Sequence, residues 1–228
     1  EVSTALTGTA DSVTYELADA EGQVLATAEG LGTVQLAANG ITPWTPETPA
    51  LYTLRVTVTA NGTADTTEQR IGIRTIQVSS KTGLLLNGQP RTMKGGCIHH
   101  DLGILGAADH AAAERRRIRL MKESGFDAIR AAHNPFGPAF LDACDELGML
   151  VVEEAFDEWV MGRTSFGLHV TFEQCWEKDL EDMITRDYNH PCIVMWSTGN
   201  EVEERDGTAD GFAWAKRLAD KVRSLDAS

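Results

Sequence analysis

No stretch of this chain approaches the roughly 20 consecutive apolar residues that a membrane-spanning helix needs, so no membrane partner is expected. Positive charge is scarce as well. Lys and Arg total 20 against 34 Asp and Glu, a formal net charge of -14, and a surface of that sign repels polyanions, which argues against nucleic acid as a partner. No two of Cys97, Cys144, Cys175 and Cys192 stand at a CxxC spacing, and each lies in or beside a regular element, so they read as free thiols. That leaves the compartment unknown, tilted slightly toward the cytoplasm. The zinc-binding HExxH spacing is absent, and Gly30-Leu31-Gly32-Thr33-Val34-Gln35 lacks the third Gly of a dinucleotide-binding turn. Glu1-Val2-Ser3-Thr4 offers neither an initiator Met nor a signal peptide, so the chain reads as an excerpt.

What is present is globular in composition: 228 residues, 42 % hydrophobic and 24 % charged, enough for two cores of moderate size. Residues 1–79 are rich in Thr, Val, Ala and Gly and carry alternating segments such as Val13-Thr14-Tyr15-Glu16-Leu17 and Leu54-Arg55-Val56-Thr57-Val58-Thr59. Such alternation means half-buried strands. Glu21-Gly22, Asn39-Gly40 and Asn61-Gly62 are turn signals between them, the last closing a hairpin. Several short strands in so few residues suit an immunoglobulin-like β-sandwich.

Residues 80–228 follow another pattern, in which short apolar strands near 93–98, 128–131, 150–152 and 193–196 alternate with amphipathic helices near 110–124, 137–147, 172–189 and 209–225. Four βα units of this kind make either an open doubly wound sheet or the first half of a (β/α)8 TIM barrel. Gly125 and Gly148 stand where left-handed helix caps are expected.

Each of the four strand ends carries polar residues that a core does not require. The first delivers His99-His100-Asp101, the second Arg130 and His133-Asn134, the third Glu153-Glu154 with Asp157-Glu158, the fourth Asn200-Glu201. One such end would be unremarkable; four are expected to converge, because the C-terminal strand ends of a barrel share one rim. Glu201 could act as a general acid if burial beside Trp196 raised its pKa. Asn200 could donate to a substrate hydroxyl. Arg130 could orient a carboxylate, or form a salt bridge to the Glu153-Glu154 strand end. An oxygen-liganded cation on the acidic run 153–158 is a further alternative.

The stretch Asp187-Tyr188-Asn189-His190-Pro191-Cys192-Ile193-Val194-Met195-Trp196-Ser197-Thr198-Gly199-Asn200-Glu201 resembles the acid/base signature of glycoside hydrolase family 2, the β-galactosidase and β-glucuronidase group. Asp127-Ala128-Ile129-Arg130-Ala131-Ala132-His133-Asn134-Pro135, with Cys144-Asp145-Glu146-Leu147-Gly148-Met149-Leu150-Val151-Val152, is similar to its other signature. Lys94-Gly95-Gly96-Cys97-Ile98-His99-His100-Asp101 resembles the first barrel strand, and the segment from Pro43 to Tyr52 the family's middle domain.

The resemblance implies an immunoglobulin-like sandwich over 1–79 and the first half of a TIM barrel over 80–228. It implies Glu201 as acid/base, Asn200 on the sugar's 2-hydroxyl, and Arg130, His133 and His99 lining the sugar site. The implied substrate is a terminal β-glycoside, foremost a β-galactoside, cleaved with retention; β-glucuronidase, β-mannosidase and a non-catalytic carbohydrate-binding protein are the alternatives. The family's nucleophile follows the seventh strand, so none is expected in this chain, which is then inactive alone. Glu158 matches the Glu of the family's magnesium-binding loop, but Val160 stands where that loop has His, which weakens the case for magnesium; no cofactor is expected. Exposed edges of half a barrel invite association, so homo-oligomerisation stays open.

Overall fold

A computed structural model describes residues 1–227. The chain divides into two compact units, Glu1–Ile73 and Arg74–Ser228. The boundary falls ahead of the expected 79/80, because residues 76–79 pair with the strand that follows them.

The first unit is all β. Strands β1 (Ser12–Ala18), β2 (Val24–Glu29), β3 (Tyr52–Ala60) and β4 (Thr63–Ile71) form one antiparallel sheet in the order β2-β1-β3-β4. Alternation decides which face is buried. Val13, Tyr15 and Leu17 of β1 stand opposite Val58, Val56 and Leu54 of β3. Val13, Tyr15 and Val56 are buried, and Val2, Leu6, Val34 and Leu36 pack over them. The covering layer is thinner than a full second sheet: irregular chain with a single bridge between Val2 and Val34. Asn61 and Gly62 both take positive φ, 51° and 74°, the requirement of a two-residue hairpin turn whose twist matches the strands. Trp44 is fully buried, and the Tyr52 hydroxyl accepts the Thr42 N–H at 2.7 Å.

The second unit opens with a small antiparallel sheet of β5 (Ile76–Ser79), β6 (Gly83–Leu86) and β7 (Gln89–Pro90). Four βα units follow: β8 (Gly95–Ile98) and α1 (Ala111–Glu123), β9 (Ala128–Ala131) and α2 (Pro138–Leu147), β10 (Leu150–Glu154) and α3 (Phe172–Asp187), β11 (Ile193–Ser197) and α4 (Gly211–Leu225). All four strands are parallel and adjacent in chain order, β11-β10-β9-β8, as in a (β/α)8 barrel traced through its first four units. An open doubly wound sheet would reverse direction partway, and this one does not.

Each helix buries one stripe: Ile118 of α1, Phe140, Leu141 and Cys144 of α2, Leu180, Met183 and Ile184 of α3, Trp214 and Leu218 of α4. Gly125 and Gly148 take positive φ past α1 and α2, and Pro138 opens α2, where its missing N–H costs nothing. No helix among the described residues is long and apolar enough to cross a membrane.

Candidate active site

The ends of β8 to β11 are joined by a network centred on Glu154. Pairing puts Arg130 of β9 beside Cys97 of β8 and Val152 of β10, and Glu154 beside Ser197 of β11. From there Arg130 donates to Glu154 through Nε at 3.1 Å and Nη2 at 2.7 Å, a two-pronged contact that fixes both planes. Ser197 Oγ donates to Glu154 Oε2 at 2.7 Å, and His133 Nδ1 lies 3.0 Å from Oε1. Arg130 Nη1 approaches Cys97 Sγ at 3.5 Å. The Glu154 side chain is 1 % exposed, and at that depth a carboxyl must have its oxygens met, as these donors do. So the salt-bridge alternative for Arg130 is realised, through Glu154 and not Glu153.

Glu153 faces the other way. It is fully buried and accepts the Phe136 N–H at 2.7 Å. Burial pushes its carboxyl up to about 8, with the Phe136 hydrogen bond only partly opposing. Two neighbours in sequence therefore have two different functions, one neutral in the core near pH 7 and one at the centre of a polar rim.

Arg130 Nη2 also reaches Asn200 Oδ1 at 2.7 Å, while Asn200 Nδ2 donates to Asp157 Oδ1 at 3.0 Å. A guanidinium only donates, so the amide can face it only through oxygen, and the orientation of Asn200 is settled chemically. Asn200 is 5 % exposed, and its N–H is held by Phe156 O at 3.0 Å. Glu201, the next residue, emerges from this fixed base. Its φ is +43°, a left-handed value uncommon without glycine, and it turns the side chain outward to 80 % exposure. The burial beside Trp196 expected from sequence is not found: Trp196 Nε1 donates to Asp226 Oδ2 at 2.8 Å, and its ring packs against the core under α3 and α4. Alternation along β11 sends Trp196 to the helices, while the bend after the strand sends Glu201 to solvent.

Glu201 opens onto a cleft of about 570 Å³ that His133, Asn134, Asp157, Arg163 and Asn200 also line. Arg130 lies beneath it in the network. His99 is one step away, its ring edge-to-face with His133 at 4.9 Å, whereas His100 stacks on Phe136 at 4.0 Å. Both histidines lie just past the end of β8, and they serve different surroundings.

Glu158 lines the same cleft, with its oxygens engaged by the loop around it. It is 4 % exposed, and its oxygens accept the Arg163 N–H at 3.0 Å, the His169 N–H at 3.1 Å and His169 Nδ1 at 2.9 Å. Burial alone would raise this carboxyl, but those donors outweigh it and hold it at about 2. Val160, which has no ligand atom, packs against the hydrophobic core. Sequence reasoning missed Arg163, Ser197 and His169. Ser197 lay inside a quoted motif without a role, and Arg163 in irregular chain and His169 in a three-residue 3-10 turn offer no periodicity to read.

An all-β unit ahead of parallel βα units, with amide, guanidinium and carboxylates gathered at the strand ends, defines a barrel-type catalytic-domain architecture. The chain belongs to glycosyl hydrolases family 2: residues 2–74 match that family, and residues 76–228 match its TIM barrel domain. A β-galactosidase of Bacteroides ovatus is 40 % identical over 212 residues, covering 87 % of this chain and 25 % of the relative. A β-galactosidase of Vibrio cholerae is 32 % identical, covering 90 % of this chain and 22 % of its own length. The crystal structure of a family 2 member from Bacteroides cellulosilyticus superposes with a TM-score of 0.89 at 37 % identity, covering 94 % of this chain and 29 % of that one. A β-D-glucuronidase of Dictyoglomus thermophilum has a TM-score of 0.81 at 27 % identity, covering 95 % and 38 %. The chain thus spans about a quarter of the length of these curated relatives.

Proposed function

We propose that this chain supplies the acid/base half of a retaining β-glycosidase, acting foremost on terminal β-galactosides, and that the nucleophile lies outside these 228 residues. The observation that carries the reading is the immobilised Asn200 beneath an outward-facing Glu201 at the end of the fourth barrel strand. Glu201 donates a proton to the leaving oxygen and then takes one from water, the two-step role of an acid/base in retention. Asn200 keeps one amide N–H beyond its bond to Asp157, and that donor meets the sugar's 2-hydroxyl. His133 and Asn134 border the sugar, with His99 behind His133. Arg130 acts through Glu154 and Asn200. The chain alone is then inactive, since half of the two-carboxylate mechanism is elsewhere.

The β-galactosidase relatives favour a β-galactoside, and the β-glucuronidase neighbour makes a β-glucuronide the second reading. Assaying the full-length protein and its Glu201→Gln variant on aryl β-glycosides tests the assignment. The variant should lose about 10²- to 10⁴-fold on a poor leaving group such as phenol. Unchanged hydrolysis of that substrate would remove Glu201 from the role.

A further inference from the structure

Arg163 belongs to no strand, helix or quoted motif, yet it touches both the acid/base candidate and the residue that orients Asn200. Nη2 donates to Asp157 O at 2.8 Å and to the Asp157 carboxylate, and Nη1 lies 3.6 Å from Glu201 Oε2. Among the described residues this is the ion pair that the Glu201 carboxylate makes. Asp157 Oδ1 in turn accepts from Asn200 Nδ2. Contacts therefore run without a gap from Glu201 through Arg163, Asp157, Asn200 and Arg130 to buried Glu154.

The loop that carries Arg163 is pinned from below. Glu158 binds the backbone on both sides of it, at Arg163 and at His169, and clamps the His169 ring. Glu204, 1 % exposed, accepts the Met161 N–H at 2.6 Å. Gly162 and Gly167 allow the close approach: a Cβ at the first would overlap the His169 ring, and at the second the Glu158 carboxylate. A carboxylate that would otherwise be available to a cation is consumed in holding this loop, and the loop delivers a covalently attached cation to Glu201.

We propose that Arg163 is a positioning residue for Glu201, holding its carboxyl group toward the leaving-group oxygen, with Glu158 as the anchor that fixes Arg163. The proposal rests on the acid/base role of Glu201. An exposed pair at this distance adds little stability; what supports orientation is that Arg163 is itself fixed, by Asp157 and by its backbone bond to Glu158, beside Glu201.

The test uses the full-length protein and reads kcat/KM on two aryl β-glycosides of one sugar: the dinitrophenyl glycoside, whose leaving group needs no proton, and the phenyl glycoside, whose leaving group does. Arg163→Ala should lose about 10-fold or more on the phenyl substrate and little on the dinitrophenyl one. Arg163→Lys should recover most of the loss, and Arg163→Ala should cost nothing further in a Glu201→Gln background. Equal losses on both substrates, or full additivity in the double variant, would overturn the positioning role. If Glu201→Gln itself loses equally on both, the acid/base assignment falls first; if it is selective and Arg163→Ala is not, only the positioning falls. Should Arg163→Ala not fold, Arg163→Gln, which keeps a donor for the Asp157 carbonyl, carries the same comparison.

Discussion

Both units set an arginine between groups on neighbouring strands, with very different results. In the first, Arg55 of β3 bridges Glu16 of β1 and Glu68 of β4, and the three side chains are 43 %, 27 % and 53 % exposed. In the second, Arg130 of β9 bridges Glu154 of β10 and Cys97 of β8, with Glu154 at 1 %. Water competes for every contact of Arg55, so its pairs are largely interchangeable with hydration and add little stability. Around Glu154 water is excluded, its oxygens are met by specific donors, and the bridge extends through Arg130 to Asn200 and the cleft. The same residue types at adjacent strands hold one arrangement more firmly where one member of the pair is shut away from water.

Removing each arginine puts that contrast at risk. Arg130→Ala strands the buried Glu154, and a broken buried pair costs roughly 3–5 kcal/mol; with Arg130 itself a third exposed, the loss should lie at the lower end. A chemical-denaturation curve matching the parent's would contradict it. Next comes Glu153, whose carboxyl rises from 4.5 to about 8 on folding. Its folded form holds a proton that the unfolded chain has released, so its contribution is fully present below about 4.5 and is lost as pH climbs toward about 8. Glu153→Gln should flatten the decline in unfolding free energy between pH 5 and pH 8, and a slope unaltered by the substitution would place the titration elsewhere. Gly62→Ala, at φ +74°, should destabilise the hairpin by about 1 kcal/mol, seen as a shifted denaturation midpoint. Smallest is Arg55→Ala, for which the midpoint should not move; a clear loss would mean that exposure does not separate the two bridges.

The elements were legible because their signals are local. Residues 128–131 read as a strand and form one with those bounds, the other barrel strands and helices fall within a few residues of expectation, and Asn61-Gly62 closes the hairpin it announces. The convergence of strand ends was also readable, since parallel βα units leave their C-terminal ends on one side. The small sheet β5-β6-β7 was not, its strands being two to four residues long. Nor was the choice between Glu153 and Glu154. Alternation says that they face opposite ways, but not which way is the core.

The sequence by itself determined the order of elements, the division into an all-β and a βα half, and the residue types at each strand end, because periodicity and turn chemistry act over a few residues. Tertiary structure alone decided that Glu154, and not Glu153, centres the rim, that Trp196 belongs to the core while Glu201 faces solvent, and that Glu158 anchors a loop whose Arg163 reaches Glu201. Each of those outcomes depends on which groups from distant segments exclude water from one another, and no local pattern encodes that.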